Sequence, residues 1–300
     1  MGTLHFGMQL PVQAQSALMR ADWELDAGPA DVAAIAQAAD RAGFHYVSVC
    51  DHIAVPRETV DRMTTVWWDT VATLAWLGAQ TENVNLASTV LVLPYRHPLA
   101  TAKAFSTLDY LTNGRAILGI GAGHSEGEFK ALGVPFNKRG KLTDEAIVEV
   151  RAMFNDEWAA GTVGQKPRPV QPGGPPIWVG GSSPAALRRA ATLGDGWLPQ
   201  GPPAQGMADG IADVKRMRAE AGLDPDNFAM GGGISAYLGT PTFDLPPHFV
   251  TGSADQIAEQ LEANATLGVT HPQVRLGARD CAELLDQLAQ FGEQIVTRFA

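Results

Sequence analysis

Residues 176–198, PIWVGGSSPAALRRAATLGDGWL, contain a short apolar run, a turn rich in glycine and serine, an amphipathic helical pattern and a second apolar run. This pattern predicts a strand at Ile177–Val179, a helix at Ala185–Leu193 and a strand at Trp197–Leu198. The strands are apolar throughout rather than alternating, as is typical of parallel strands buried on both faces. A strand, a helix and a second strand in this order form the unit of parallel α/β folds.

The same alternation extends in both directions along the chain. Further strands are predicted at residues 4–10, 46–50, 84–93, 116–120, 228–238 and 273–276, and most are followed by an amphipathic helix. Eight strands within 300 residues fit a single (β/α)8 TIM barrel, which takes about 250 residues plus insertions. We therefore expect an α/β protein with one barrel domain over residues 1–300. Asn155–Pro176, rich in Gly, Pro and Gln, is expected to be an inserted loop region.

Composition excludes several classes of protein. The net charge is −10, with 22 Lys and Arg against 32 Asp and Glu, and no basic run is present, which argues against nucleic-acid binding. No apolar stretch reaches the ~18 residues of a membrane helix, and the first residues lack a signal-peptide pattern. Cys50 and Cys281 form no disulfide framework. These features predict a cytoplasmic protein with reduced thiols and no membrane partner.

The active site of such a barrel lies at the carboxyl ends of the strands. Asp51 and His52 directly follow the second predicted strand. A histidine there could bond a carbonyl or move a proton, because its ordinary pKa is about 6.5. The alternative is that Asp51 caps the next turn and His52 only packs. The seven histidines show no HxxxH or HxH spacing, so no metal site is predicted.

Two glycine-rich segments also follow predicted strands. Gly180, Gly181, Ser182 and Ser183 open a helix, where backbone N–H groups and hydroxyls could hold a phosphate. Capping by Ser183, with Pro184 in the first turn, explains the same residues, and the two interpretations are compatible. Gly119–Gly123 lacks the spacing of a dinucleotide or P-loop motif. Its glycines could let a flat ring lie near the backbone, or they could serve tight packing alone.

Four stretches together resemble the bacterial luciferase-like monooxygenase superfamily, in particular its branch that depends on the deazaflavin coenzyme F420. They are GFHYVSVCDH at 43–52, STVLVLPYRHP at 88–98, LTNGRAILGIGAG at 111–123 and PIWVGGSSP at 176–184. Their order and spacing match as well. The resemblance extends over nearly the whole chain.

The resemblance implies a barrel, often homodimeric, that holds the flat cofactor at the strand ends. Hydride would pass between a small organic substrate and C5 of the deazaflavin. A non-prolyl cis peptide at Thr89–Val90 would support one face of the ring. The residues implied in cofactor binding are Asp51, His52, Ser88, Thr89, Val90, Gly121, Ala122, Gly123, Gly180, Gly181, Ser182 and Ser183.

The chain departs from the family pattern after the fourth strand, where members with an acid-dependent mechanism often carry a glutamate. Here His124, Ser125 and Glu126 follow Gly123. The acid could be His124 or Glu126, acting with Asp51 and His52, or the role could be absent.

The sequence leaves two further questions open. One alternative function is an FMN-dependent monooxygenase that uses reduced flavin and O2, and another is a non-catalytic flavin or deazaflavin binder. The loops Ile53–Val66 and Asn155–Pro176 are expected to line the mouth and to set substrate choice, but the substrate itself is not readable.

Overall fold

The computed structural model describes residues 3–300. Its strands are β1 (Gly7–Gln9), β2 (Tyr46–Val49), β3 (Asn85–Ser88), β4 (Leu91–Val92), β5 (Ala116–Gly121), β6 (Ile177–Gly180), β7 (Gly196–Leu198), β8 (Ala229–Leu238), β9 (Val250–Gly252) and β10 (His271–Leu276). Its helices are α1 (Pro29–Arg41), α2 (Val60–Met63), α3 (Thr70–Gly78), α4 (Pro98–Leu111), α5 (Glu126–Ala131), α6 (Arg139–Asn155), α7 (Pro184–Leu193), α8 (Met207–Glu220), α9 (Ala254–Leu267), α10 (Cys281–Phe291) and α11 (Thr297–Phe299).

The strands are parallel and close on themselves. The sheet order is β10, β1, β2, β3, β5, β6, β7, β8, and β10 pairs with both β1 and β8. β3 and β4 both pair with β5 and together occupy one position in the barrel. β9 pairs with the far end of β8 and lies outside the closed ring. The predicted (β/α)8 barrel is thereby confirmed.

The core has two parts. Most buried apolar residues lie between the strands and the surrounding helices in one continuous cluster. A smaller cluster, Tyr46, Ala87, Ile117, Trp178 and Leu198, packs inside the ring, where Tyr46 meets Trp178 edge to face at 5.2 Å. Such layers of side chains fill barrels of this size. The ring is therefore a rigid, packed support for its two ends.

The third predicted strand, residues 84–93, is interrupted. The peptide between Thr89 and Val90 is cis, as the family resemblance implied, and it separates β3 from β4.

The glycines at 231–233 do not break β8, because close packing requires two of them. A Cβ on Gly231 would lie 2.6 Å from the carbonyl oxygen of Trp197. One on Gly232 would lie 2.9 Å from Val269.

The segment after α6 packs along α4, and its expected place at the mouth stays a prediction. Residues 156–176 contain no helix or strand, and they pack along α4. Gln165 bonds the carbonyl of Leu99 there, and Gln171 bonds the carboxylate of Asp109. The segment connects a helix to the next strand, whereas the mouth is built from loops that leave strands. Among the residues described, no helix combines the length and apolarity needed to cross a membrane.

Candidate active site

Asp51, just past β2, is a buried anchor for the loop after β4. Its carboxylate accepts two hydrogen bonds from Arg96, at 2.7 and 2.9 Å. It also accepts the backbone N–H of Val92 at 2.9 Å and the hydroxyl of Thr70 at 3.1 Å. Burial alone would lower the pKa of Arg96, but the bonds and charge of Asp51 outweigh it and raise that pKa. Both carboxylate oxygens are therefore occupied by partners within the protein.

His52, the next residue, forms a dyad with Glu128. Its Nδ1 lies 2.8 Å from a carboxylate oxygen of Glu128, and the two side chains are 9% and 0% exposed. The other oxygen of Glu128 accepts the backbone N–H groups of Ile53 and Ala54 at 2.6 and 3.1 Å. Because the carboxylate accepts the proton on Nδ1, Nε2 is the ring nitrogen that Glu128 leaves free.

Glu128 remains ionised despite its burial. Desolvation would raise the pKa of its carboxyl, but the hydrogen bonds from His52, Ala54 and Ile53 hold that pKa below its usual value. The hydroxyl of Tyr95 donates a fourth bond at 2.9 Å. Burial, together with the charge of Glu128, raises the pKa of Tyr95, which keeps its proton on the phenol. The dyad is thus a histidine held by a fixed anion.

Two aromatic rings lie beside this dyad. The indole of Trp67 lies 4.4 Å from the ring of His52, and His124 lies 5.6 Å from it on a T-shaped contact. Partial burial, followed by the neighbouring His52, lowers the pKa of His124. Among the described contacts, Nε2 of His52 makes no hydrogen bond, so it can serve a bound molecule.

Of the two acids weighed from the sequence, neither is the group that hydrogen-bonds His52. Glu126 is exposed on the first turn of α5 and makes no hydrogen bond within the described residues. His124 contacts His52 through its ring only. Glu128, two residues beyond Glu126, was missed. Glu128 directly precedes the buried Phe129 on the inward side of a short helix, and this position could have identified it.

Val90 forms a platform at the mouth, between two glycines. A Cβ on Gly121 would lie 2.6 Å from Val90, and one on Gly180 would lie 2.5 Å from it. Val90 itself is only partly buried. At both glycines the space is therefore taken by Val90, so a flat ring at this place would lie on Val90 rather than on the glycine backbone.

Ser88 and Thr89 lie beneath this platform. The hydroxyl of Ser88 donates to the carbonyl of Gly119 at 2.7 Å, and that of Thr89 donates to Ser48 at 2.7 Å. Both residues are buried. Their side chains hold the cis segment in place, and of residues 88–90 only Val90 is partly exposed.

The loop Gly180–Ser183 begins α7. Ser183 caps the helix by accepting the N–H of Ala186 at 3.3 Å, with Pro184 following. The hydroxyl of Ser182 donates to the carbonyl of Gly201 at 2.6 Å and accepts the N–H of Gln200 at 3.0 Å. Within the described chain, no acceptor takes the backbone N–H of Ser182 or Ser183. The loop thus offers free N–H groups, whereas its hydroxyls already have partners.

A cavity of about 1100 Å³ opens beside β1, β8 and β10. Its lining is partly apolar, with Trp23, Phe243 and Phe249, and partly polar. Gln9 lines it and also bonds the thiol of Cys50 at 3.6 Å, next to Asp51. Gly201, bonded to Ser182, lines it on the other side. The cavity is therefore linked through Gln9 to Cys50 and through Gly201 to the loop before α7, and its lining includes neither His52 nor Glu128.

A known family of proteins shares the sequence pattern of this chain over most of its length. Residues 4–242 match the model of the luciferase-like monooxygenase family. The chain belongs to the luciferase-like monooxygenase family. The predicted resemblance is confirmed, and the chain is an oxidoreductase of this family.

Individual relatives differ in their cofactor. An F420-dependent hydroxymycolic acid dehydrogenase of Mycobacterium tuberculosis is 30% identical, over 81% of this chain and 73% of its own length. An FMNH2-dependent dimethylsulfone monooxygenase of Pseudomonas fluorescens is 29% identical, over 73% of this chain and 58% of its own length. The coenzyme F420-dependent tetrahydromethanopterin reductase of Methanopyrus kandleri, 18% identical, superposes with a TM-score of 0.76 over the full length of both chains. That structure supports the fold alone.

Proposed function

We propose that the protein transfers a hydride between coenzyme F420 and a small organic substrate, with His52 moving the accompanying proton. The observation that carries this proposal is the buried bond between Nδ1 of His52 and Glu128, at 2.8 Å. It fixes the imidazole and leaves Nε2 available at the carboxyl end of β2. A histidine oriented in this way is suited to proton transfer near neutral pH.

The described residues fit a bound deazaflavin. The N–H groups of Ser182 and Ser183, at the positive end of α7, suit its phosphate. Val90 would support one face of its ring, and His52 stands on the neighbouring strand. When bound, the deazaflavin would supply the carbon that gives or receives the hydride.

The protein's own residues would handle the proton. In the oxidation of an alcohol, Nε2 of His52 would accept the hydroxyl proton as the hydride leaves. Glu128 would stabilise the resulting imidazolium, since it stays ionised beside Nδ1. In the reverse direction, the imidazolium would return the proton to the carbonyl oxygen. General acid–base catalysis of this kind contributes about 10²–10⁴ in rate.

A second candidate function keeps the same site but uses FMN. The similarity to an FMNH2-dependent monooxygenase favours it. Reduced flavin and O2 would then oxygenate the substrate. Both functions share the barrel and the phosphate loop, so only the cofactor distinguishes them.

The decisive test is fluorescence titration of the purified protein with coenzyme F420 and with FMN, side by side. We expect the deazaflavin to bind at least about tenfold more tightly, which equals about 1.4 kcal/mol. Tight binding of FMN instead would support the monooxygenase, and binding of neither would refute both. Next, His52→Asn should retain the deazaflavin but lose turnover in a screen of small alcohols and ketones.

Sedimentation of the purified wild-type protein tests the homodimer that we propose from the family resemblance.

A further inference from the structure

Three histidines meet at the end of the barrel opposite the mouth. His271 begins β10, His5 lies just before β1, and His45 lies just before β2. β10, β1 and β2 are neighbours in the sheet. Gly7 pairs with Gln273, so two residues back along both strands His5 lies beside His271. The barrel thus brings together residues that are far apart in the sequence, which is why no spacing motif revealed them.

The three imidazoles are close enough to share one ion. One nitrogen from each ring can be chosen so that all lie within 4.8 Å of one another. Their ring centroids are 4.7 to 5.5 Å apart. Zinc bound tetrahedrally at about 2.0–2.1 Å needs ligand nitrogens about 3.3 Å apart. Small rotations of the half-buried rings would close the remaining gap.

Neighbouring groups are placed to orient the rings. The hydroxyl of Thr270 lies 2.8 Å from Nδ1 of His271, and it already accepts the backbone N–H of Met230 at 3.0 Å. Its remaining lone pair can accept a proton from Nδ1, which leaves Nε2 of His271 free for a metal. Histidines that bind metals commonly donate their second nitrogen in this way.

The surroundings keep the imidazoles in the form that binds metal. Burial, followed by the neighbouring histidines, lowers the pKa of His45 to about 4 and that of His271 to about 3. Burial also lowers the pKa of His5. On the inner side, Trp178 covers His271 edge to face at 5.2 Å. The three rings are therefore neutral at pH 7 and shielded on one side by a packed layer.

We propose that His5, His45 and His271 form a zinc site at the amino-terminal end of the barrel. Three imidazole ligands would leave a fourth position for water, as in other three-histidine zinc sites. The ion would join the last strand of the barrel to the first two, across the place where the ring closes. Its role would be to stabilise this closure, at the opposite end from the proposed hydride-transfer site and independently of it.

The test is zinc binding by the full chain, prepared without a polyhistidine tag. Equilibrium dialysis with metal analysis should find one zinc per chain. His271→Gln should weaken binding by about 100-fold or more, since loss of an outer partner alone costs 10–100-fold. The matched control is His97→Asn, which removes an exposed imidazole but keeps a capping residue at the start of α4. It should retain the zinc.

Thermal unfolding provides a second readout. Zinc at 100 times its Kd should raise the Tm of the wild type and of His97→Asn by roughly 5 °C. The Tm of His271→Gln should not change. Equal zinc binding in wild type and His271→Gln would overturn the proposal, because the ion would then lie elsewhere.

A third measurement covers the case in which His271→Gln does not fold. Co²⁺ added to the wild type should give the visible d–d absorption of a tetrahedral site, and zinc should remove it. A spectrum of octahedral Co²⁺ only, or none, would refute the site. The histidines would then be no more than a packed aromatic layer.

Discussion

Replacing Glu128 with glutamine should reverse the tautomer of His52. The carboxylate accepts two backbone N–H groups, from Ile53 and Ala54, at one oxygen, and His52 and Tyr95 at the other. A carboxamide has only one acceptor oxygen. The backbone donors cannot reverse, so that oxygen must face them, and the amide NH2 must face His52. Nδ1 would then have to accept, and the ring proton would move to Nε2.

The cost in stability follows from the bonds that change. All four bonds to a charged acceptor become bonds between neutral groups, and a bond to a charged group is worth about 1.5–3 kcal/mol against about 1 for a neutral one. Removing a buried charge recovers part of this difference. Glu128→Gln should therefore destabilise the fold by about 1–4 kcal/mol. For a chain of this size, this lowers the Tm by roughly 2–6 °C. Turnover should fall by about 10²–10⁴, because Nε2 no longer accepts a proton.

The assay needs no substrate. Ring ¹⁵N chemical shifts of His52 should show the proton on Nδ1 in the wild type and on Nε2 in Glu128→Gln. The matched control is Glu126→Gln, the same change two residues earlier on the exposed side of α5, and it should leave the tautomer and the Tm unchanged. A wild-type His52 that carries its proton on Nε2 would refute the reasoning, as would a tautomer that changes in Glu126→Gln.

Three more changes test other parts of the site. Gly121→Ala should displace Val90, because the added Cβ would lie 2.6 Å from it, and coenzyme F420 titration should show at least about tenfold weaker binding. Asp51→Asn should cost about 1–3 kcal/mol in urea unfolding, because it removes the buried anion that accepts two bonds from Arg96 and leaves only the exposed Asp69, at 3.7 Å. Finally, Glu128 has a lowered pKa in the fold, so its contribution to stability is present above its ordinary value of about 4.5 and is lost as the pH falls below it. In urea unfolding, the stability of Glu128→Gln should not show this loss as the pH falls.

The barrel was predictable because its signals are local. Apolar runs such as Ile177–Val179, followed by a capped helix, mark each unit without reference to the rest of the chain. The placement of the cis peptide at Thr89–Val90 came from the family resemblance, since the chemistry of a threonine–valine pair does not favour it.

The partners of the site residues could not be predicted, because they depend on contacts between distant segments. Glu128 reaches His52 across 76 positions of the sequence. Arg96 reaches Asp51 across 45. From the sequence, Glu126 and Glu128 look alike. Only the direction in which α5 packs makes one buried and the other exposed, and that direction depends on Phe129 entering a cluster with Tyr95.

Asp51 and His52 illustrate how adjacent residues at a strand end divide their tasks. Asp51 lies on the buried side, where its bonds to Arg96 and to the N–H of Val92 tie β2 to the segment that carries Val90. His52 points away from Asp51, and Glu128 holds its ring through the bond to Nδ1. The carboxylate of Asp51 could approach the imidazole of His52 only by giving up one of these bonds, since both of its oxygens already have partners. The structural role of Asp51 and the proton transfer proposed for His52 are therefore separated, and each can be tested without disturbing the other. Loss of Asp51 should act first on stability, whereas loss of His52 should act on turnover.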